Sequence, residues 1–140
     1  MKRLKIDNEE SVFAGLINDA LAVRLNAYAP YSDFLVGAAI LTLDGETFVG
    51  CNVENASFSL TICAERVAAG AAVANAKRDW AVVAIASRGG VTPCGACRQF
   101  LAEFGHDLIL LCVDAESREV TRHQLSELLP HSFSKDSLDS

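Results

Sequence analysis

The sequence predicts an α/β protein, a three-layer α/β/α sandwich around a mixed five-stranded sheet. Three observations carry that expectation. Helical and β-type apolar patterns alternate along the chain in the order α-β-β-α-β-α-β-β-α. Asp44-Gly45 joins the first two β-rich runs, a strong hairpin signal because both residues tolerate the positive φ of a tight turn. "WAVVAIAS" and "DLILLCV" are continuously apolar, as strands covered on both faces are.

Each element has its own local cause. From Glu9 to Ala27, the apolar residues Val12, Phe13, Leu16, Ile17, Ala20, Leu21 and Val23 recur at helical spacing, and Pro30 forbids continuation soon after. Strands are expected near 35–43 and 46–53, on either side of the hairpin turn. A helix follows over 63–76, then the strand "WAVVAIAS" and a second helix over 94–104, with Pro93 suited to its start. "DLILLCV", a short strand near 119–121 and a helix over 124–129 complete the order. Two β-α-β units after a hairpin give a mixed sheet with helices on its faces. No repeat or linker interrupts the chain, so one domain over 1–140 is expected, with a tail from about 132 that is polar except for Phe133 and Leu138.

Composition narrows the function classes. With 140 residues, 51% of them hydrophobic, the chain suits one domain with a substantial core. No apolar run approaches the roughly 18 residues of a membrane helix, and "MKRLKIDNEE" lacks a signal-type apolar stretch, so a cytoplasmic protein is expected. A formal net charge of −6 argues against nucleic acid as a partner, because nothing draws the chain to phosphate backbones. Five cysteines, an odd number, disfavour a full disulfide framework and make metal binding or catalysis the better reading of a close pair.

That close pair is Cys94 and Cys97 in "PCGACR". Three apart at a helix start, their sulfurs can reach one ion. A thiolate there is favoured by free amides and the positive dipole end. Cys63 in "TICAER" also opens an expected helix, so two helix N-termini can converge on one zinc. A CxxC alone is a moderate signal. Cys-x-Glu at one helix start with Pro-Cys-x-x-Cys at another is far more specific, being the zinc-deaminase pattern with cysteine in place of histidine.

"YAPYSDFLVGAAI", "GCNVENASFSLTICAER", "TPCGACRQFLAEFG" and "ELLPHSF" resemble cytidine deaminases of the small, homotetrameric type. The resemblance runs from about Tyr28 to Phe133, with the blocks in the expected order. It implies one zinc per subunit on Cys63, Cys94 and Cys97, with Glu65 as the catalytic proton carrier. It implies Arg66 at the thiolates and Gln99 as a similar donor beside them. It implies a nucleoside pocket in which Phe34 stacks on the pyrimidine while Asn52 and Glu54 hold the ribose. Ala56, Phe58 and Phe133 match positions that the family contributes across a subunit boundary. The activity implied is hydrolytic deamination of cytidine and deoxycytidine, with release of ammonia.

Read alone, several of these residues are unremarkable. Glu65 would be an ordinary first-turn helix acid, Phe34 a core aromatic, and Asn52 with Glu54 an exposed polar strand end. A closed four-cysteine site would need Cys51 or Cys112. Cys51 is expected to face away from any pocket that its strand neighbours Asn52 and Glu54 face, and Cys112 reads as a buried apolar residue. That leaves three ligands and an open position, the catalytic kind of zinc site. The chain departs from the family pattern in three places. Phe58 stands where tyrosine is common, "VAAGAAVANA" is unusually small-sided, and "SRGGV" before Thr92 is short and glycine-rich. A deaminase of a related nucleoside or nucleoside antibiotic, or a non-catalytic zinc module, are the competing readings.

Overall fold

The structure is a computed structural model and describes residues 9–138. Its elements are α1 (Glu9–Arg24), β1 (Gly37–Thr42), β2 (Thr47–Cys51), α2 (Ala64–Ala74), β3 (Trp80–Ser87), α3 (Gly95–Ala102), β4 (Ile109–Asp114), β5 (Val120–Gln124) and α4 (Leu125–Leu128). Short 3-10 turns at Phe58–Leu60 and Lys135–Ser137 add to the expected order.

The strands form one sheet in the order β2-β1-β3-β4-β5. Only β3 and β4 pair in parallel; the other three pairings are antiparallel. The sheet is therefore mixed, as the alternation of patterns requires. Its hairpin is closed by Gly45 N–H donating to the Thr42 carbonyl at 3.1 Å. Gly45, at φ +91°, takes the left-handed conformation, and Asp44 does not.

Both faces are covered. α1 sets Phe13, Leu16 and Ala20 against Ala39, Leu41, Val82, Ala84, Leu111 and Val113. α2, α3 and α4 cover the other face with Ala64, Ala68, Ala72, Leu101 and Leu125, against Ala38, Ile40, Val83, Ile85 and Leu110. The small side chains of α2 serve this packing. Ala64, Ala68, Ala69 and Ala72 are fully buried, and a Cβ at Gly50 of β2 would lie 2.3 Å from the Ala68 nitrogen. The helix backbone rests directly on a glycine, which larger residues would prevent.

Element ends differ from the expected ones for identifiable reasons. α1 stops at Arg24 rather than Ala27, where amides 25–27 tighten to bonds with the carbonyls three residues back. β2 stops at Cys51 because the Asn52 side chain takes two backbone partners across the chain: its Oδ1 accepts from Val36 N–H at 2.9 Å and its Nδ2 donates to the Phe34 carbonyl at 2.9 Å. Asn52 and Glu54 are therefore not strand residues. Val53 alone continues as a bridge, to Tyr28 and to Ile62.

Candidate active site

Cys63 and Cys94 each stand at the N-cap of a helix, α2 and α3, with extended backbone at φ −70° and −64°. Cys97 lies one turn into α3 and is buried. The three Sγ atoms fall within 4.8 Å of one another. Sulfurs on a tetrahedral zinc, each at about 2.3 Å, lie about 3.8 Å apart, so the group fits that ion. Among the described residues it is the cluster positioned to bind a metal; Cys51 and Cys112 lie outside it. Burial pushes the Cys112 thiol up to about 11, as befits an inert core residue.

The surroundings favour thiolate. The Cys63 thiol is drawn down to about 5, first by the hydrogen bond it receives from Cys97 and, against burial, by Arg66. That same bond, reinforced by burial, pushes Cys97 up, so as free thiols the group charges first at Cys63. The Arg66 guanidinium donates through Nη2 to the Cys63 sulfur at 3.5 Å, and this contact holds it charged. Glu65, between them in sequence, is 4% exposed, and burial raises its carboxyl above the ordinary value of 4.5. It lines a cavity of about 300 Å³ together with Cys63, Cys94, Phe34, Asn52 and Glu54. A carboxyl with raised proton affinity, aimed into a cavity beside three metal-binding sulfurs, can hold and pass a proton.

Residues 14–113 match the family model described as the cytidine and deoxycytidylate deaminase zinc-binding region. The chain belongs to this family. It is 41% identical over 125 residues to the cytidine deaminase of Sporosarcina psychrophila, covering 88% of this chain and 92% of that one. The crystal structure of a Burkholderia pseudomallei cytidine deaminase superimposes with a TM-score of 0.82 at 44% identity, covering 86% of this chain and 98% of that one. A more distant relative, the blasticidin-S deaminase of Bacillus cereus, is 30% identical over 111 residues, covering 72% of this chain and 78% of that one. The matched zinc-binding region spans Cys63, Cys94 and Cys97, the three residues positioned to bind a metal ion.

The cavity brings together Phe34, Asn52, Glu54, Cys63, Glu65 and Cys94, from four stretches of sequence. It does not take in Ala56, Phe58 or Phe133. Phe58 is 74% exposed and meets Tyr31 edge-on at 5.8 Å, while Phe133, 61% exposed, borders a separate hollow of about 350 Å³ beside the α3–β4 connection. Gln99 also departs from expectation. Its amide donates to the Phe133 carbonyl at 2.8 Å and ties the tail to α3, not to the thiolates. Two positions after Cys97, it points away from the buried side of the helix.

Other residues of the site escaped the sequence reading. Arg98 donates to the Pro93 and Leu128 carbonyls and to Thr92 Oγ1 at 2.8–2.9 Å, which pins the loop carrying Cys94. Arg88 sets its guanidinium 5.9 Å from the Phe34 ring centroid. Ser32 and Thr61 line the cavity. Arg98, Ser32 and Thr61 all lie inside the motif blocks quoted above, whereas Arg88 carries no such signal. His106, His123 and His131 lie outside the metal group.

Proposed function

We propose that this chain hydrolytically deaminates cytidine and deoxycytidine to uridine and deoxyuridine, with zinc on Cys63, Cys94 and Cys97 and Glu65 as the proton carrier. The observation that carries the reading is the buried Glu65 carboxyl lining the same cavity as Cys63 and Cys94, with Cys97 behind them. Zinc held there lowers the pKa of a water molecule and makes it a nucleophile.

Everything else is the work of the chain. Glu65 takes a proton from that water as its oxygen bonds to the ring carbon bearing the amine, and delivers it to the adjacent ring nitrogen. The remaining hydroxyl proton then passes through the same carboxylate to the amine. The carbon–nitrogen bond breaks, ammonia leaves, and a carbonyl stands where the amine was. A site of three thiolates is formally anionic, so water is harder to ionise and the buried base matters more. Arg66 and the two helix N-termini, about half a positive charge each, offset that excess.

Phe34 would stack on the pyrimidine. Asn52 has one amide proton beyond those used on the 34–36 segment, and Glu54 accepts from a sugar hydroxyl. Neither contact depends on the 2′ carbon, so both nucleosides fit. The exposure of Phe58 and Phe133 outside the cavity supports a homotetramer in which neighbouring subunits complete each other's sites. Removing residues from 132 onward should then raise the Michaelis constant or weaken assembly, and a fully active monomer in sedimentation would refute it. The net charge of −6 and the lack of a membrane-length apolar helix among the described residues fit a cytoplasmic enzyme acting on a small nucleoside, not on nucleic acid.

The test is incubation of the purified protein with cytidine, deoxycytidine and blasticidin S, following ammonia release. Turnover of cytidine and deoxycytidine is expected. Turnover of the antibiotic alone would move the chain towards its more distant relative.

A further inference from the structure

The segment between α1 and β1 forms one wall of the cavity, and its shape depends on two polar side chains from the far side of β2. One is Asn52, which holds the Phe34 carbonyl and the Val36 amide. The other is Glu54. One of its carboxylate oxygens accepts the Tyr31 and Ser32 amides at 3.0 and 3.1 Å, and the other accepts the Ser32 hydroxyl. The same hydroxyl oxygen accepts the Phe34 amide at 3.0 Å. Ser32 thus stands between a carboxylate and the backbone of the aromatic. It borders both the cavity and an adjoining hollow of about 400 Å³ that it shares with Tyr31, Glu54, Phe58 and Thr61.

We infer that Ser32 is a positioning residue for substrate, whose hydroxyl sets the Glu54 carboxylate and the Phe34 backbone relative to each other, so that sugar and base contacts share one geometry. The inference rests on the roles proposed above for Glu54 and Phe34. The hydroxyl has one proton, given to Glu54, and an acceptor site filled by the Phe34 amide, so it acts through these neighbours. A glutamate without this tether has several rotamers of similar energy, and substrate binding must then order it. With the tether, three of its roughly four lone-pair directions are already engaged and the remaining one is left for a sugar hydroxyl.

The tether also leaves a mark on titration. The Glu54 carboxyl is held below its ordinary value of 4.5, first by the Ser32 hydroxyl and, against burial, by the Tyr31 and Ser32 amides. Asp33 lies within the segment, Arg24 donates through Nε to its Leu35 carbonyl at 3.0 Å, and Arg88 lies by the Phe34 ring. A depressed folded-state value means the charged arrangement is complete above the ordinary value and fails as pH falls through the lowered one. Removing the hydroxyl raises that value towards the ordinary one.

The experiment compares zinc-loaded parent, Ser32→Ala, Ser32→Thr, Glu54→Ala and the Ser32→Ala/Glu54→Ala double variant on cytidine. Ser32→Ala should raise KM about tenfold, the scale of one lost hydrogen bond, with kcat within about twofold and zinc unchanged. Ser32→Thr should recover most of the loss. In the Glu54→Ala background, Ser32→Ala should add almost nothing. Unchanged KM in Ser32→Ala, a tenfold loss persisting without Glu54, or a fall in kcat or zinc would each overturn the inference. A parent inactive on cytidine would instead overturn the functional reading, and this inference with it.

Discussion

Replacing Gly50 by alanine tests whether the α2–β2 contact sets the catalytic geometry. The added Cβ would meet the Ala68 nitrogen at 2.3 Å, the Ala64 oxygen at 2.7 Å and the Val67 carbonyl carbon at 2.9 Å. All three are backbone atoms, so no side-chain rotation relieves the clash. Ordinary contact begins near 3.4 Å, and 3.4 − 2.3 gives a withdrawal of about 1.1 Å by the helix. The helix start carries Cys63 and Glu65, while Cys94 and Cys97 belong to α3 and stay behind. A zinc site tolerates about 0.2 Å in its ligand distances, and a misplacement of about 1 Å costs catalysis on the order of 10²-fold. Gly50→Ala should therefore lose zinc to chelators faster, fall in kcat by about that factor and be destabilised by about 1–3 kcal/mol. Gly37→Ala is the control. Its Cβ would strike the Ala20 oxygen at 2.1 Å and displace α1 on the opposite face, lowering stability comparably without touching the metal. Metal analysis, steady-state kinetics and thermal melting decide the matter. A Gly50→Ala protein with full zinc and kcat within about threefold of the parent would refute the reasoning, as would equal loss of kcat in Gly37→Ala.

Glu65→Gln should keep its fold and zinc yet lose at least about 10²–10⁴-fold in kcat, since the amide preserves shape but carries no proton; near-parent kcat in zinc-replete protein would end its role as proton carrier. Cys51→Ala and Cys112→Ala should retain one zinc per chain and Cys63→Ala should not; loss of zinc from Cys51→Ala, read by metal analysis, would contradict the three-cysteine group. Ala76 ends α2 in the left-handed conformation at φ +61°, with Lys77 and Ala76 amides bonded to the Ala72 and Val73 carbonyls at 2.9 Å. Ala76→Gly should relieve about 1–2 kcal/mol of backbone strain, partly offset by glycine's freedom when unfolded, and raise Tm by about 2–4 °C. A lower Tm would show that this turn is not strained.

Local chemistry written in the sequence decided much of this protein. Apolar spacing, an Asp-Gly turn and two continuously apolar runs specify the five strands and their helices, because periodicity and turn conformation act over a few residues. The cysteine group was legible too, since Cys63, Cys94 and Cys97 stand at or near helix starts that local signals mark. Side-chain direction and partner choice were not. Nothing local says that Asn52 ends its strand by bonding the backbone of 34–36, or that Gln99 turns to the Phe133 carbonyl. Nor does the sequence say that the small residues of α2 let its backbone rest on Gly50 of β2. Ser32 and Glu54 are separated by 22 positions, so only folding brings hydroxyl and carboxylate together. Such contacts form when distant segments meet around a shared core, and their geometry depends on distances that no local pattern encodes.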